Sequence, residues 1–221
     1  MRRLLLAFAL MIAAASPAAA QRRSRVSVLG NPSTWLSGAV AGFTANQVND
    51  GATGSTWNFG NSTNLQYGAS LERAIGTALS IGVAGSYASV PFLYEGGFTP
   101  VESGVTTCGS CDAHLDMTTL VGTLHAGGTT GLYQVIELNG GIVMYRNLRR
   151  DSDKAKLAPG GGNIDPFFSL GYGIGYGLSK TTQIEFVPDY AISIHERSGL
   201  SNGVSNTTST RSLRLGLRMG F

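Results

Sequence analysis

Of the 221 residues 31 are glycine, and 13% are charged where a soluble domain carries roughly 25%. Hydrophobic residues make up 43%, yet beyond residue 20 no apolar run approaches the roughly 18 to 20 residues of a membrane-spanning helix, so a helical membrane protein is excluded. Nine Phe, eight Tyr and two Trp give apolar surface to bury and argue against disorder.

The chain opens on an address. Arg2 and Arg3 precede the apolar run Leu4 to Ala15, and Ser16-Pro17-Ala18-Ala19-Ala20 ends in an Ala-x-Ala cleavage pattern. Residues 1–20 read as a secretory signal peptide. Twelve apolar residues are too few for an anchor helix. Without Arg2 and Arg3, 14 basic residues face 13 acidic ones, so the pI near 9.0 partly reflects the leader and no nucleic-acid partner is implied. Residues 21–32 form a short basic leader to the first strand.

Eight segments of period-two alternation follow. The first, Thr34 to Phe43, has no clear phase: Trp35 and Phe43 share one face, Leu36 and Val40 the other. In the second, Leu65, Tyr67, Ala69 and Leu71 oppose Gln66, Gly68, Ser70 and Glu72; in the third, Leu79, Ile81, Val83 and Tyr87 oppose Ser80, Gly82, Ala84 and Ser86. In the fourth, Leu115, Met117 and Val121 are read against His114, Asp116 and Thr118, with Leu120 and Leu124 breaking the rule. The fifth sets Ile136, Leu138, Ile142 and Met144 against Glu137, Asn139, Gly141 and Tyr145. The sixth, Phe168 to Leu178, alternates large apolar residues with Ser169 and four glycines. The seventh sets Ile184, Phe186, Tyr190, Ile192 and Ile194 against Glu185, Asp189, Ser193 and His195. The eighth sets Leu213, Leu215, Leu217, Met219 and Phe221 against Arg214, Gly216, Arg218 and Gly220. Segments of about ten residues suit tilted strands crossing a bilayer.

Short connections at Ile75 to Thr77, Gly127 to Gly131 and Ser179 to Thr181 alternate with long polar ones at Thr44 to Asn64, Phe92 to Asp112, Asn147 to Asn163 and Arg197 to Thr210. This predicts an all-β fold, an eight-stranded antiparallel up-and-down transmembrane β-barrel over residues 33–221, with short turns on one rim and long loops on the other. The polar face carries Glu72, Asp116, Glu137, Glu185, Asp189, Arg214 and Arg218 among small residues, and is expected to form a hydrogen-bonded network inside the narrow lumen. Trp35, Tyr67, Tyr145 and Tyr190 are expected in interfacial girdles.

Cys108 and Cys111 form one Cys-x-x-Cys in a Gly/Ser/Thr-rich stretch, which in an exported chain favours a disulfide at a loop tip. A redox role needs a helix N-terminus that the flanking residues do not predict, and a zinc site needs two further ligands where only His114 is near.

On the leader, the eight segments and the closing stretch Leu213 to Phe221, the chain resembles the small outer-membrane β-barrel family, the OmpA-like and OmpX-like transmembrane domains. The resemblance implies residence in the outer membrane, short turns toward the periplasm, contact with outer-membrane lipid, and recognition of Leu213, Leu215, Leu217, Met219 and Phe221 by the outer-membrane assembly machinery. The expected molecule is a monomer with a structural or surface-interaction role through four long extracellular loops, which are open to an extracellular ligand. A narrow pore is the alternative, and lipid A modification a third reading. The family includes adhesins, pores and enzymes, so the fold does not choose among them.

No catalytic, cofactor-binding or metal-binding residue is expected. His195, Glu196 and Ser198 lack the His-x-Ser spacing that puts both side chains on one strand face, so His195 reads as a loop-rim residue. His114 and Asp116 share a face and read as a structural pair in the lumen. Gly171-Tyr172-Gly173-Ile174-Gly175-Tyr176 lacks the third glycine and the helix of a nucleotide-binding loop. Asn61-Ser62-Thr63 and Asn206-Thr207-Thr208 mark exposed loops.

Overall fold

The computed structural model describes residues 31–60, 63–96, 104–195 and 207–221. The leader at 1–20 and nearly all of 21–32 lie outside them. Ten strands and no helix occur among the described residues. Eight are long: β1 (Thr34–Ala45), β4 (Asn64–Ala74), β5 (Leu79–Glu95), β6 (Cys111–Ala126), β7 (Gly131–Arg150), β8 (Asn163–Ser179), β9 (Thr182–Ile194) and β10 (Thr207–Gly220). They pair antiparallel in sequence order, and β1 closes the sheet by pairing with both β4 and β10: Trp35 faces Glu72 on one side and Gly220 on the other. The result is a closed, eight-stranded, up-and-down barrel. Two short strands, β2 (Val48–Asp50) and β3 (Ser55–Asn58), form a hairpin within the first long connection and attach to the far end of β5 through Thr56 opposite Glu95 and Asn58 opposite Leu93.

The outer face is apolar. Leu71, Val83, Leu138, Leu170, Phe186 and Leu215 point outward and are 42 to 57% exposed. Contiguous apolar surface of this kind suits lipid as the surrounding solvent. Tyr67 and Tyr87, opposite each other on β4 and β5, and Tyr190 on β9 also face outward. The first strand has a definite phase, with Trp35, Ala41 and Phe43 inside and Leu36 and Val40 outside. Trp35 and Tyr145 are only 4% and 3% exposed and lie inside the barrel, so neither belongs to a girdle.

β5 has 17 residues and β7 has 20, well beyond the roughly 9 to 11 that cross a bilayer. Past the lipid the solvent changes, and the polarity of the two faces reverses. Along β5 the apolar residues facing out are Leu79, Ile81, Val83 and Tyr87, whereas those facing in are Ala88, Val90, Phe92 and Tyr94. The strand's facing never slips; only the environment does. On β6 this overturns the expected phase. Leu115, Met117 and Val121 point inward, and Leu120 is the lipid-facing residue. The same extension shortens the second long connection, since Phe92 to Glu95 and Cys111 to Asp112 are strand.

The interior above the lipid is therefore packed like a soluble core. Phe43, Val48, Trp57, Phe59, Val90, Phe92, Tyr94, Leu115, Tyr145 and Leu157 form one buried cluster. Cys108 and Cys111, joined as a disulfide, pack against it.

Three interior glycines explain part of the unusual composition. A Cβ on Gly82, Gly141 or Gly173 falls 2.1 to 2.2 Å from a neighbouring strand's backbone carbonyl oxygen, on Leu71, Leu120 and Phe186 respectively. Only glycine fits where strands of a narrow, strongly coiled barrel approach so closely.

Candidate functional site

The barrel interior holds most of the polar side chains singled out above, in three levels. At the short-turn end Arg218, 4% exposed, is the centre of a plug. Its Nη2 donates to Glu72 Oε2 and Ser80 Oγ, both at 2.6 Å, and its Nη1 donates to Gln183 Oε1 at 3.2 Å. Glu72 also accepts from Ser70 and Ser80 at 2.8 and 2.6 Å. Gln183 in turn donates to the carbonyl of Gly128 in a short turn at 3.0 Å. The guanidinium lies 4.4 Å over the Trp35 ring, so one face of the cation is covered by an aromatic surface. β1, β4, β5, β9 and β10 are tied together across the bore by this one side chain.

In the middle level Glu185 accepts from Tyr133 OH at 3.0 Å, and its same Oε1 lies 3.0 Å from His125 Nε2. Arg214 forms an ion pair with Glu137. Asn139 donates to Ser169 at 3.0 Å. A cavity of about 120 Å³ lies beside these groups, lined by small residues such as Ser37, Ala39, Ser70 and Ser86 together with Asp189 and Arg214.

At the long-loop end the aromatic cluster fills the bore. His195, just beyond β9, is fully buried within it. Its Nδ1 lies 2.7 Å from Asp165 Oδ2 and its Nε2 lies 3.8 Å from Asp50 Oδ1. Trp57 and Tyr145 meet its ring edge-on at 5.1 and 6.0 Å between centroids. Burial pulls the His195 pKa down, but the carboxylates of Asp165 and Asp50 outweigh it and hold the imidazole up at about 9. Asp50 and Trp57 belong to the β2–β3 hairpin, so His195 fastens that hairpin over the mouth of the barrel.

No known protein-family model matches the chain, and no curated protein is significantly similar to it. Among solved structures, Neisserial surface protein A aligns over its whole length, covering 87% of this chain with a TM-score of 0.53 at 10% identity. The chain has the fold of the small outer-membrane β-barrels. Ail, the attachment invasion locus protein of Yersinia pestis, aligns over 100% of its length and 87% of this chain at 11% identity, with a TM-score of 0.48. OprG from Pseudomonas aeruginosa aligns over 97% of its length and 87% of this chain at 11% identity, with a TM-score of 0.43.

In an outer-membrane barrel the short turns face the periplasm and the long loops face outward. On that orientation the Arg218 plug would lie at the periplasmic end, and the aromatic core with its His195 fastening at the extracellular end. Glu72, Glu137, Glu185, Asp189, Arg214 and Arg218 all face this lumen. Asp116 does not. It points outward at the upper edge of the lipid band, where Tyr87 OH donates to it at 2.8 Å and Asn147 Nδ2 also donates to it. His114 likewise points outward and meets Asp151 at 2.8 Å rather than Asp116. Both corrections follow from the reversed polarity of β6.

His195 is inside the mouth rather than on a loop rim; Glu196 and Ser198 lie outside the described residues, as do Asn61, Ser62 and Asn206. Leu213 and Leu215 on β10, and Phe221 just beyond it, are exposed on the outer face, while Leu217 and Met219 are half-buried. Asp50, Ser80, His125, Tyr133, Asp165 and Gln183 are lumen residues that sequence reasoning did not single out. For His125 the signal was present: once Leu120 and Leu124 are taken as lipid-facing, parity turns His125 inward.

The extracellular end of β7 and its turn carry Arg149, Arg150, Lys154 and Lys156 against Asp151 and Asp153. Arg150 clamps Asp153 with two hydrogen bonds at 2.9 and 2.6 Å, which holds that exposed carboxyl down at about 2. Hydrogen bonds from His114 and Lys154 lower the Asp151 carboxyl.

Proposed function

We propose that this outer-membrane barrel is a non-conducting, non-catalytic scaffold that presents its extracellular loops to a partner. The observation that carries the reading is the double closure of the lumen. Arg218, Trp35, Gln183 and Glu72 fill the periplasmic end, and the cluster around Trp57 and Tyr145 fills the outer end. A solute pathway needs both to move. Among the described residues inside the mouth, His195 is the histidine paired with a carboxylate, and it is fully buried, away from any lipid or peptide substrate. The outward surface is where chemistry is displayed, above all the charged end of β7 and the β2–β3 hairpin.

Reconstitution in planar bilayers tests the closure: the wild-type barrel gives no steady single-channel current, and a stable ohmic conductance assigns it to the narrow-pore reading instead. Mass spectrometry of lipid A from cells with and without the protein gives identical acylation. A difference that depends on His195 makes it an enzyme.

A further inference from the structure

We infer that His125, Glu137 and Glu185 form a lumenal binding site for one divalent transition-metal ion, zinc by its ligand chemistry. This goes beyond the scaffold reading and does not depend on it. It also runs against the sequence, which gave no expectation of a metal.

The three side chains come from β6, β7 and β9, and each offers one ligand atom within 4.8 Å of the others. They are 2, 5 and 7% exposed, so the set is held inside the barrel and not on a solvated surface. His125 and Glu137 are direct cross-strand partners. The glycines of β8 let side chains of β7 and β9 lie directly over that strand: a Cβ on Gly175 would fall 2.4 Å from the Tyr133 ring, and one on Gly171 2.8 Å from Val187 Cγ1 and 3.6 Å from Glu137 Cβ. One imidazole nitrogen with two carboxylate oxygens is a donor set that zinc accepts, at roughly 2.0 to 2.2 Å per ligand, with a fourth position for water or a phenol. Tyr133 OH already stands beside Glu185.

The charge of the lumen is an independent argument. Below the aromatic core, four described carboxylates face inward: Glu72, Glu137, Glu185 and Asp189. Two arginines face them, Arg214 and Arg218. Arg218 pairs directly with Glu72 and Arg214 with Glu137, while the direct partners of Glu185 are His125 and the Tyr133 phenol, with both arginines acting on it only at longer range. Counted over these six side chains, the lumen holds two more carboxylates than arginines in an interior where excess charge is costly. A divalent cation cancels that excess. His125 and Tyr133 converge on Oε1 of Glu185, so they leave its second oxygen to the ion. Glu137 can hold Arg214 with one oxygen and the metal with the other, the arrangement by which neighbouring groups orient a ligating carboxylate.

The alternative is that protons balance these charges. Cobalt separates the two, because a bound tetrahedral Co²⁺ absorbs visible light and a proton does not. The full barrel chain is refolded in detergent with Co²⁺ or Zn²⁺ present, so that the buried ligands meet the ion as the barrel forms around them, and free metal is removed by gel filtration. The expected result is one retained equivalent per chain, a visible Co²⁺ spectrum, and at least tenfold weaker binding in His125→Gln and Glu185→Gln. His114→Gln, at the outer surface, binds like wild type. The mobility difference between heated and unheated samples checks that each variant is folded. Wild-type protein that retains no metal and shows no spectrum overturns the site, whether or not the variants fold. So does binding that survives His125→Gln and Glu185→Gln with less than tenfold loss.

Discussion

Arg218 Nη2 and Glu72 Oε2 lie 146 positions apart in sequence and meet at 2.6 Å inside the barrel. The pair spans from β10 to β4, flanking β1, the strand on which closure depends. Both side chains are about 4% exposed. Removing one partner leaves the other charged, buried and unpaired, which costs about 3 to 5 kcal/mol in known cases. Arg218→Ala is therefore expected to lower the urea midpoint of the barrel in lipid vesicles by a corresponding amount, read from the folded band of unheated gel samples. The double variant Arg218→Met, Glu72→Gln recovers much of the loss, since no charge is stranded. A midpoint unchanged in Arg218→Ala shows that the plug does not stabilise the seam.

The His195 fastening predicts a pH response on the extracellular side. Its folded pKa of about 9 stands above the ordinary 6.5, so protonated His195 is favoured in the closed mouth. The stabilisation is fully present below about pH 6.5 and is lost as pH rises through about 9. The groups that face the ring are Asp165, Asp50, Asn163, Trp57 and Tyr145. Amide exchange of residues 48–58, corrected for its intrinsic pH dependence, is expected to accelerate between pH 7 and 10. His195→Gln flattens that response. An equal step in His195→Gln assigns it to another group.

The reversal of polarity along β5 makes a third prediction and marks what the sequence could and could not reveal. Alternation identifies a strand because side chains point to opposite faces whatever surrounds them. It does not say which face is inside, because lipid and water reward opposite choices. The C-terminal strand and β8 lie largely within the lipid, and there the expected facing was right. β6 spans both regimes, and its upper Leu115 and Met117 outvoted the correct Leu120 and Leu124, which misplaced His114 and Asp116. The mouth was not legible at all, since Asp50, Trp57, Asp165 and His195 meet only through tertiary contacts. Val83→Arg, in the lipid band, is expected to cost about 2 to 4 kcal/mol in vesicles. Ser89→Arg, the same face of the same strand six residues nearer the exterior, costs little, because by then that face meets water. Equal losses in vesicle unfolding contradict the assigned boundary.

Glycine content closes on a physical requirement rather than a compositional habit. At Gly173 an added Cβ lies 2.1 Å from the carbonyl oxygen of Phe186 and 2.7 Å from Val187 Cα, both backbone atoms that cannot rotate away. At Gly38 nothing lies within 4 Å. Gly173→Ala forces β8 and β9 apart, an overpacking change of about 1 to 3 kcal/mol. Gly38→Ala fills open space and removes freedom from the unfolded chain, for a gain of about 0.4 to 1 kcal/mol at a backbone angle that alanine accepts. Urea unfolding of the two variants beside wild type is expected to shift in opposite directions. A neutral Gly173→Ala dissociates the glycines from strand approach and leaves bore width alone to explain them.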